Sequence, residues 1–304
     1  MSESTVLQLV REIKNKKNSL ESTRTLFKNK GLEIEFDKFN RDHWCLFVFD
    51  DSINKLILMT EKNFNAIETF GLISTTRYIL ELSIRLTLIA QDSLYGLAYY
   101  GQLLRDKISY WKSLEEQLKR EIILLNKMEE EENELQRVKL IEYSNIEDPR
   151  LKEKIGATFA YDIMSAIDNK ASRKFSIHSE QAKTNGYGLQ ASLIEKNQLS
   201  IATSSLAEVE SEYACFCSSV THDVLLKVKH WKWKDKAKAT NHLEEYDYIY
   251  SFTSSMLHAT PASITAEYNL LSIDEMIIFL KYINVKLMDI NELANEFIAT
   301  SSRA

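Results

Sequence analysis

The sequence predicts an all-α protein: a multi-helix bundle with one long amphipathic helix over about residues 94–143. Three observations carry this expectation. Chain breakers are scarce, with 7 glycines and 2 prolines in 304 residues, where average usage gives roughly 21 and roughly 15. Apolar residues recur at three- and four-residue spacing along most of the chain. No stretch fits G-x-G-x-x-G or G-x-x-x-x-G-K-[ST], which excludes the glycine-cradled phosphate sites of doubly wound folds.

Residues 4–28 read as an amphipathic helix with Val6, Leu7, Val10 and Ile13 on one face, closed by Gly31. Leu32–Phe39 alternates weakly and is expected to be extended. Residues 45–66 return to helical spacing, and Gly71 is expected to break the chain. Thr75–Asp92 is apolar nearly all round, the mark of a helix buried inside a bundle. The 94–143 stripe runs from Leu104, Ile108 and Trp111 to Leu135, Val138 and Ile141. Strict heptads fail at Glu121 and Glu132, so the stripe departs from a regular coiled coil. Asp148-Pro149 marks a boundary. A helix over 157–182 leads to Lys183–Gly188, the clearest loop in the sequence.

Helices near 189–196, 203–229, 239–258, 261–271 and 273–299 complete the chain. Thr260-Pro261 fits a start with proline at the first helical position. Ser272-Ile-Asp-Glu275 matches a capping box. One all-helical domain over 1–304 is expected, with a sub-division into 1–150 and 186–304.

The formal charge is −6, so the chain has no global basic footprint for nucleic acid. No run of 18 uncharged apolar residues exists, and the start lacks a basic segment followed by an apolar one. A cytoplasmic protein with no membrane partner is expected. Cys45, Cys215 and Cys217 read as buried small hydrophobes in a reducing compartment.

Five patterns could carry chemistry. Arg77-x-x-x-Glu81-x-x-x-Arg85 is an i, i+4, i+8 ladder in the most apolar helix, and charges there need partners. Tyr213…Ser-Ser-x-x-His222 is echoed by Tyr250…Ser-Ser-x-x-His258. On a helix, each histidine shares a face with the serine one turn earlier, so the two faces could meet in one polar pocket or simply specify packing. Arg173 and His178 have the R-x-x-x-x-H spacing used by metal-independent RNases, in which arginine stabilises phosphate charge and histidine moves a proton. Lys227, Lys229, Trp231, Lys232, Trp233 and Lys234 fall in the only strongly basic segment. Lysines there suit phosphates and tryptophans suit base stacking; a helix end and a solvated loop give the same pattern. Metal ligation has no support from E-x-x-H or H-E-x-x-H spacing; Glu81, His222 and His258 would form a two-histidine, one-carboxylate set only if the fold joined them. No metal and no cofactor are expected.

Thr75, Arg77 and Glu81, taken with Tyr213…His222, His230-Trp231 and Tyr250…His258-Ala-Thr-Pro261, resemble an uncharacterised bacterial family of all-helical proteins. The resemblance spans roughly residues 60–270. The layout is in turn similar to the HEPN superfamily, which includes RNase toxins and phage-defence effectors. That similarity implies a nucleic-acid-related or defence role and metal-independent RNA cleavage, with Arg77, Glu81, His222 and His258 as the site. HEPN proteins carry an arginine–histidine motif on a late helix; no arginine precedes His222 or His258 at that spacing. RNA and a homodimer or helical protein partner are the expected partners. The alternatives are a non-enzymatic helical interaction module and a small-molecule-binding bundle.

Overall fold

The structure, a computed structural model, describes residues 3–258 and 271–301. Among these residues every regular element is helical and none is a strand. The chain forms two compact units, one of Met1–Gln102 with Phe216–Ala304 and one of Leu103–Cys215. The junctions therefore fall inside long helices, not at the breakers Pro149 and Gly186 expected to divide the chain.

The first unit opens with α1 (Glu3–Asn15) and α2 (Lys17–Leu32). The single helix expected over 4–28 is broken at Lys16, because each half buries its own face: Leu9, Val10 and Ile13 in α1, and Leu20, Thr23 and Phe27 in α2. α2 ends at Leu32, one residue beyond the expected Gly31. Residues 34–40 are irregular and form no extended pair. α3 (Arg41–Lys62) starts earlier than its apolar pattern because Asn40 caps it, its side chain accepting from the N–H groups of Asp42 at 2.9 Å and His43 at 3.3 Å.

α4 (Thr69–Gln91) is the centre of this unit. Gly71 is absorbed into its first turn. Ile73, Ile79, Leu82, Leu86 and Ile89 share a core with α3 and with the C-terminal helix α14 (Ile273–Ser301). Leu80, Ile84 and Leu88 face a second core with Ala237, Tyr246 and Ile249. Burial on both sides is what an apolar pattern running round the helix demands. The capping box opening α14 is formed, with Ser272 Oγ accepting from Glu275 N at 3.2 Å and Glu275 Oε2 accepting from Ser272 N at 2.8 Å.

α5 (Leu94–Ser144) is the long helix the periodicity predicts, passing from the first unit into the second. α6 (Pro149–Ala171) starts at the predicted boundary, with Asp148 as cap and Pro149 at its first position. It ends eleven residues before the expected 182. The expected 183–188 loop shrinks to a break at Gly186, φ +89°, between α7 (Ser179–Asn185) and α8 (Tyr187–Leu193). A π-helical turn over Ile194–Leu199 joins α8 to α9 (Ser200–Ser219), which returns to the first unit at Phe216. The second unit's core joins Leu118, Leu125 and Met128 of α5 to Ile167, Tyr187 and Ile194.

The helix expected over 203–229 is two helices. α9 stops at Ser219, Thr221 is extended (φ −69°, ψ 158°), and α10 covers His222–Lys229. α11 (Trp233–Ala239) fills a stretch also readable as loop, followed by α12 (Leu243–Glu245), a π-helical turn over Tyr246–Tyr250 and α13 (Ser251–Leu257). The Thr260–Pro261 start, with nearly all of the predicted 261–271 helix, lies outside the described residues. Cys45 is buried as expected, and burial pushes its thiol up to about 12; Cys215 is exposed and Cys217 half-buried, unlike the expectation.

Candidate functional site

The Arg77–Glu81–Arg85 ladder occupies a strip of α4 between its two apolar faces. Arg77 and Glu81 form the expected i, i+4 pair, Nε donating to Oε1 at 3.0 Å, with side chains 23% and 26% exposed. The pair is thus half-buried and open to solvent on one side. Arg77 also donates from Nη1 to Ser254 Oγ of α13 at 3.3 Å, and its guanidinium lies 4.4 Å over the Tyr250 ring. That ring stacks on Tyr246 at 4.6 Å across the π-helical turn. Burial, with Tyr250 alongside, pushes the Tyr246 phenol up to about 12. Three contacts from three elements fix the guanidinium, a geometry suited to an anion facing its solvent side.

Arg85, two turns further along α4, donates to Gln102 Oε1 at 2.8 Å. Its guanidinium lies 4.5 Å over Trp231, 5.6 Å from Tyr99 and 5.7 Å from Trp233. Cation–π contact holds a cation in place without neutralising it.

The two histidines expected beside Arg77 are arranged differently. Ser219 and His222 do not share a helix, since the break at Thr221 puts them at the end of α9 and the start of α10. His222 is exposed. His258 is exposed and ends α13 in extended backbone (φ −100°, ψ 148°), one turn beyond Ser254. Among the described residues His222 is not a hydrogen-bonding partner of Arg77 or Glu81. So the echo divides: Tyr250 and Ser254 of the second copy join the Arg77 cluster, and the first copy is split between α9 and α10. No group of three His, Cys, Asp or Glu side chains converges to hold a metal among the described residues.

The histidine that does pack against α4 is His242, which the spacing of motifs gave no reason to select. Its Nε2 lies 3.2 Å from Ser83 Oγ and its Nδ1 3.0 Å from Thr240 Oγ1. Burial holds its pKa below the usual histidine value, against the opposing pull of Glu245.

Part of the basic segment is paired with neighbouring side chains. Lys227 pairs with Asp92 at 3.0 Å and lies 4.4 Å over Tyr95. Burial lowers its pKa, but Asp92 and Tyr95 outweigh that and hold it above the ordinary lysine range. Lys234 pairs with Asp247 at 2.9 Å, and Lys236 donates to the Tyr95 hydroxyl at 3.0 Å. Trp231 and Trp233 meet edge to face at 5.4 Å beneath Arg85, and both are half-buried. Lys229, Lys232 and Lys234 are exposed.

In the second unit Arg173 is exposed just beyond α6. His178 is tied down by its backbone: its N–H donates to Glu121 Oε1 at 3.2 Å. Glu121 is only 1% exposed. It also accepts from the Ser176 hydroxyl, from Ile177 N at 3.3 Å and from Gln117 Nε2 at 3.3 Å. The residue that interrupts the heptads of α5 is therefore a buried carboxylate capping the loop after α6. Among the described residues no helix is long and apolar enough to cross a membrane. No protein-family model, curated protein or solved structure matches this chain.

Proposed function

We propose that this is a HEPN-like helical protein with a nucleic-acid-directed role, acting in defence as a metal-independent RNase toxin. The observation that carries the reading is the Arg77 guanidinium, held by Glu81 of α4, by Tyr250 of the π-helical turn and by Ser254 of α13, the helix that His258 terminates. Arg77 would clamp the scissile phosphate, with Glu81 as a positioning residue that fixes its fork. His258 would take the proton from a ribose 2′-hydroxyl. The freed oxygen then attacks phosphorus, the bond from phosphorus to the 5′-oxygen breaks, and the imidazolium returns the proton to that oxygen. The products are a 2′,3′-cyclic phosphate and a 5′-hydroxyl, so atoms and charge balance without a metal. His222, on a separate helix, is left out of this mechanism.

The test is RNA cleavage by the purified full-length protein, beside growth of cells expressing it. Arg77→Ala and His258→Ala should each lower cleavage by at least about 100-fold and relieve toxicity, with helical content unchanged. His222→Ala should do neither. Absence of both cleavage and toxicity in the wild type, or cleavage surviving both substitutions, would overturn the reading.

A second reading, a non-enzymatic interaction module, draws on the second unit. That unit leaves Phe175 80%, Tyr161 73% and Ile123 69% exposed. Light scattering that shows a monomer at all concentrations would remove its homodimer form.

A further inference from the structure

We infer that the cleft between α3 and α4 in the first unit binds one nucleoside phosphate, either free or as an unstacked residue of RNA. The cleft has a volume of about 490 Å³, within the usual range for ligand sites. It is walled by three aromatic rings, Tyr78 from α4, Tyr99 from α5 and Trp233 from α11. Two cations, Lys55 and Arg85, and two carboxylates, Asp51 and Glu81, line the same space.

Each part has a match in that ligand class. Rings spaced around a cleft take a planar base, because every base has a π-face. Lys55 and Arg85 suit a phosphate, and the carboxylates suit ribose hydroxyls or exocyclic amines as acceptors. An amino acid would satisfy the four charges but leave the three rings without a planar partner. An apolar ligand would make no use of the charged side chains that line the cleft. Two positive and two negative side chains give the cleft no net charge, so it can hold one phosphate but not follow a run of them.

Arg85 is built for the task, since its guanidinium is fixed in advance by Trp231 at 4.5 Å and by Gln102 at 2.8 Å. Little side-chain freedom remains to be lost on binding. Glu81 lines the cleft and bonds Arg77, so this site is continuous with the one assigned above and extends that reading by naming what lies next to the scissile phosphate. By contrast the apolar cavity beside Phe27, Phe36 and Phe47, about 360 Å³, offers no comparable set of convergent charges.

The test is titration of tryptophan fluorescence in the full-length protein with AMP, CMP, GMP, UMP, a single-stranded ribotetranucleotide and inorganic phosphate. At least one nucleotide should give saturable quenching, with apparent affinity tenfold or more above that of phosphate. Tyr78→Ala and Lys55→Ala, both at surface positions, should each weaken it at least fivefold while leaving the melting temperature unchanged. Binding of the tetranucleotide more than tenfold tighter than any mononucleotide assigns the site to a residue of RNA, and equal binding assigns it to free nucleotide. The proposal is overturned if no nucleotide exceeds phosphate, or if both variants bind like the wild type. Failure here is separable from failure of the RNase reading. Cleavage dependent on Arg77 with no nucleotide binding rejects only the cleft, and nucleotide binding without cleavage rejects only the RNase.

Discussion

The two units bury charge in opposite ways. In the first, Arg77 and Arg85 project from one helix onto rings and side-chain oxygens of other elements. In the second, Glu121 is sealed and accepts mainly from one short loop, including the N–H groups of Ile177 and His178. A half-buried cation on an aromatic face can exchange contacts with a ligand. A sealed carboxylate bound to backbone cannot, and its role is to hold that loop on α5. On this contrast the proposed chemistry falls in the first unit, and the second unit supplies the anchor for its own loop.

The largest test of that contrast is removal of each acid. Glu121→Ala leaves a hydroxyl and two N–H groups without their acceptor, and should destabilise the protein by about 3 kcal/mol. Glu81→Ala removes one partner of a half-exposed pair and should cost about 1 kcal/mol or less. Urea denaturation measures both, and hydrogen exchange should place the Glu121 effect at residues 172–178. Equal losses would erase the distinction between anchor and site.

Two glycines extend the comparison at slightly smaller scale. A Cβ on Gly96 would run into the carbonyl oxygen of Arg41 and lie 2.8 Å from Cys45 Sγ, so the backbones of α3 and α5 would have to part. Gly96→Ala should cost about 2 kcal/mol. The atoms nearest a Cβ on Gly188 are those of the Glu129 carboxylate, the end of an exposed side chain that can swing away. Gly188→Ala should be neutral or stabilising by a few tenths of a kcal/mol, because alanine suits a helix better. Thermal melts of the pair decide whether close approach or helix propensity governs each position.

What could be read in the sequence follows from the range of the interactions. Local periodicity gave α5 to within a residue of its C-terminal end and put α4 at the centre, because both depend on neighbours three and four residues away. The Arg77–Glu81 pair was legible for the same reason. The break at Thr221 was not, since neither glycine nor proline marks it and only tertiary packing selects it; with it went the pairing of Ser219 and His222. Glu121 stood out as an interruption of the heptads, yet its partners lie in a loop beyond the next helix. Trp231 and Trp233 read as an exposed aromatic–basic stretch because nothing local announces Arg85 above them.

Helix caps give a smaller test that labels each unit. Asn40 caps α3 in the first unit, and Asp148 caps α6 in the second, accepting from Arg150 N at 2.9 Å. Alanine at either should cost about 1 kcal/mol. If the units unfold separately, Asn40→Ala shifts one thermal transition and Asp148→Ala the other. A single transition moved equally by both would mean they unfold together.

The smallest expected effect is pH-dependent and confined to the first unit. His242 is held neutral by burial, so its pKa in the folded state lies below the unfolded value of about 6.5. The unfolded chain then binds more protons than the folded one as pH falls through that window. The stability His242 contributes is complete above about pH 7 and is lost as pH drops toward its folded pKa. The groups facing it include Glu245, which favours the charged form, and Lys286, which opposes it. Lys286 itself is paired with Glu245 at 2.8 Å and Asp289 at 3.2 Å, so these charges largely offset one another and leave burial as the deciding cause. Melting temperatures from pH 8 to pH 5.5 should fall more steeply for the wild type than for His242→Gln, which keeps polar atoms facing Ser83 and Thr240 but cannot titrate. Parallel profiles would mean that the imidazole is protonated in place at little cost, and that the wall of α4 opposite the Arg77 site is wetter than its burial suggests.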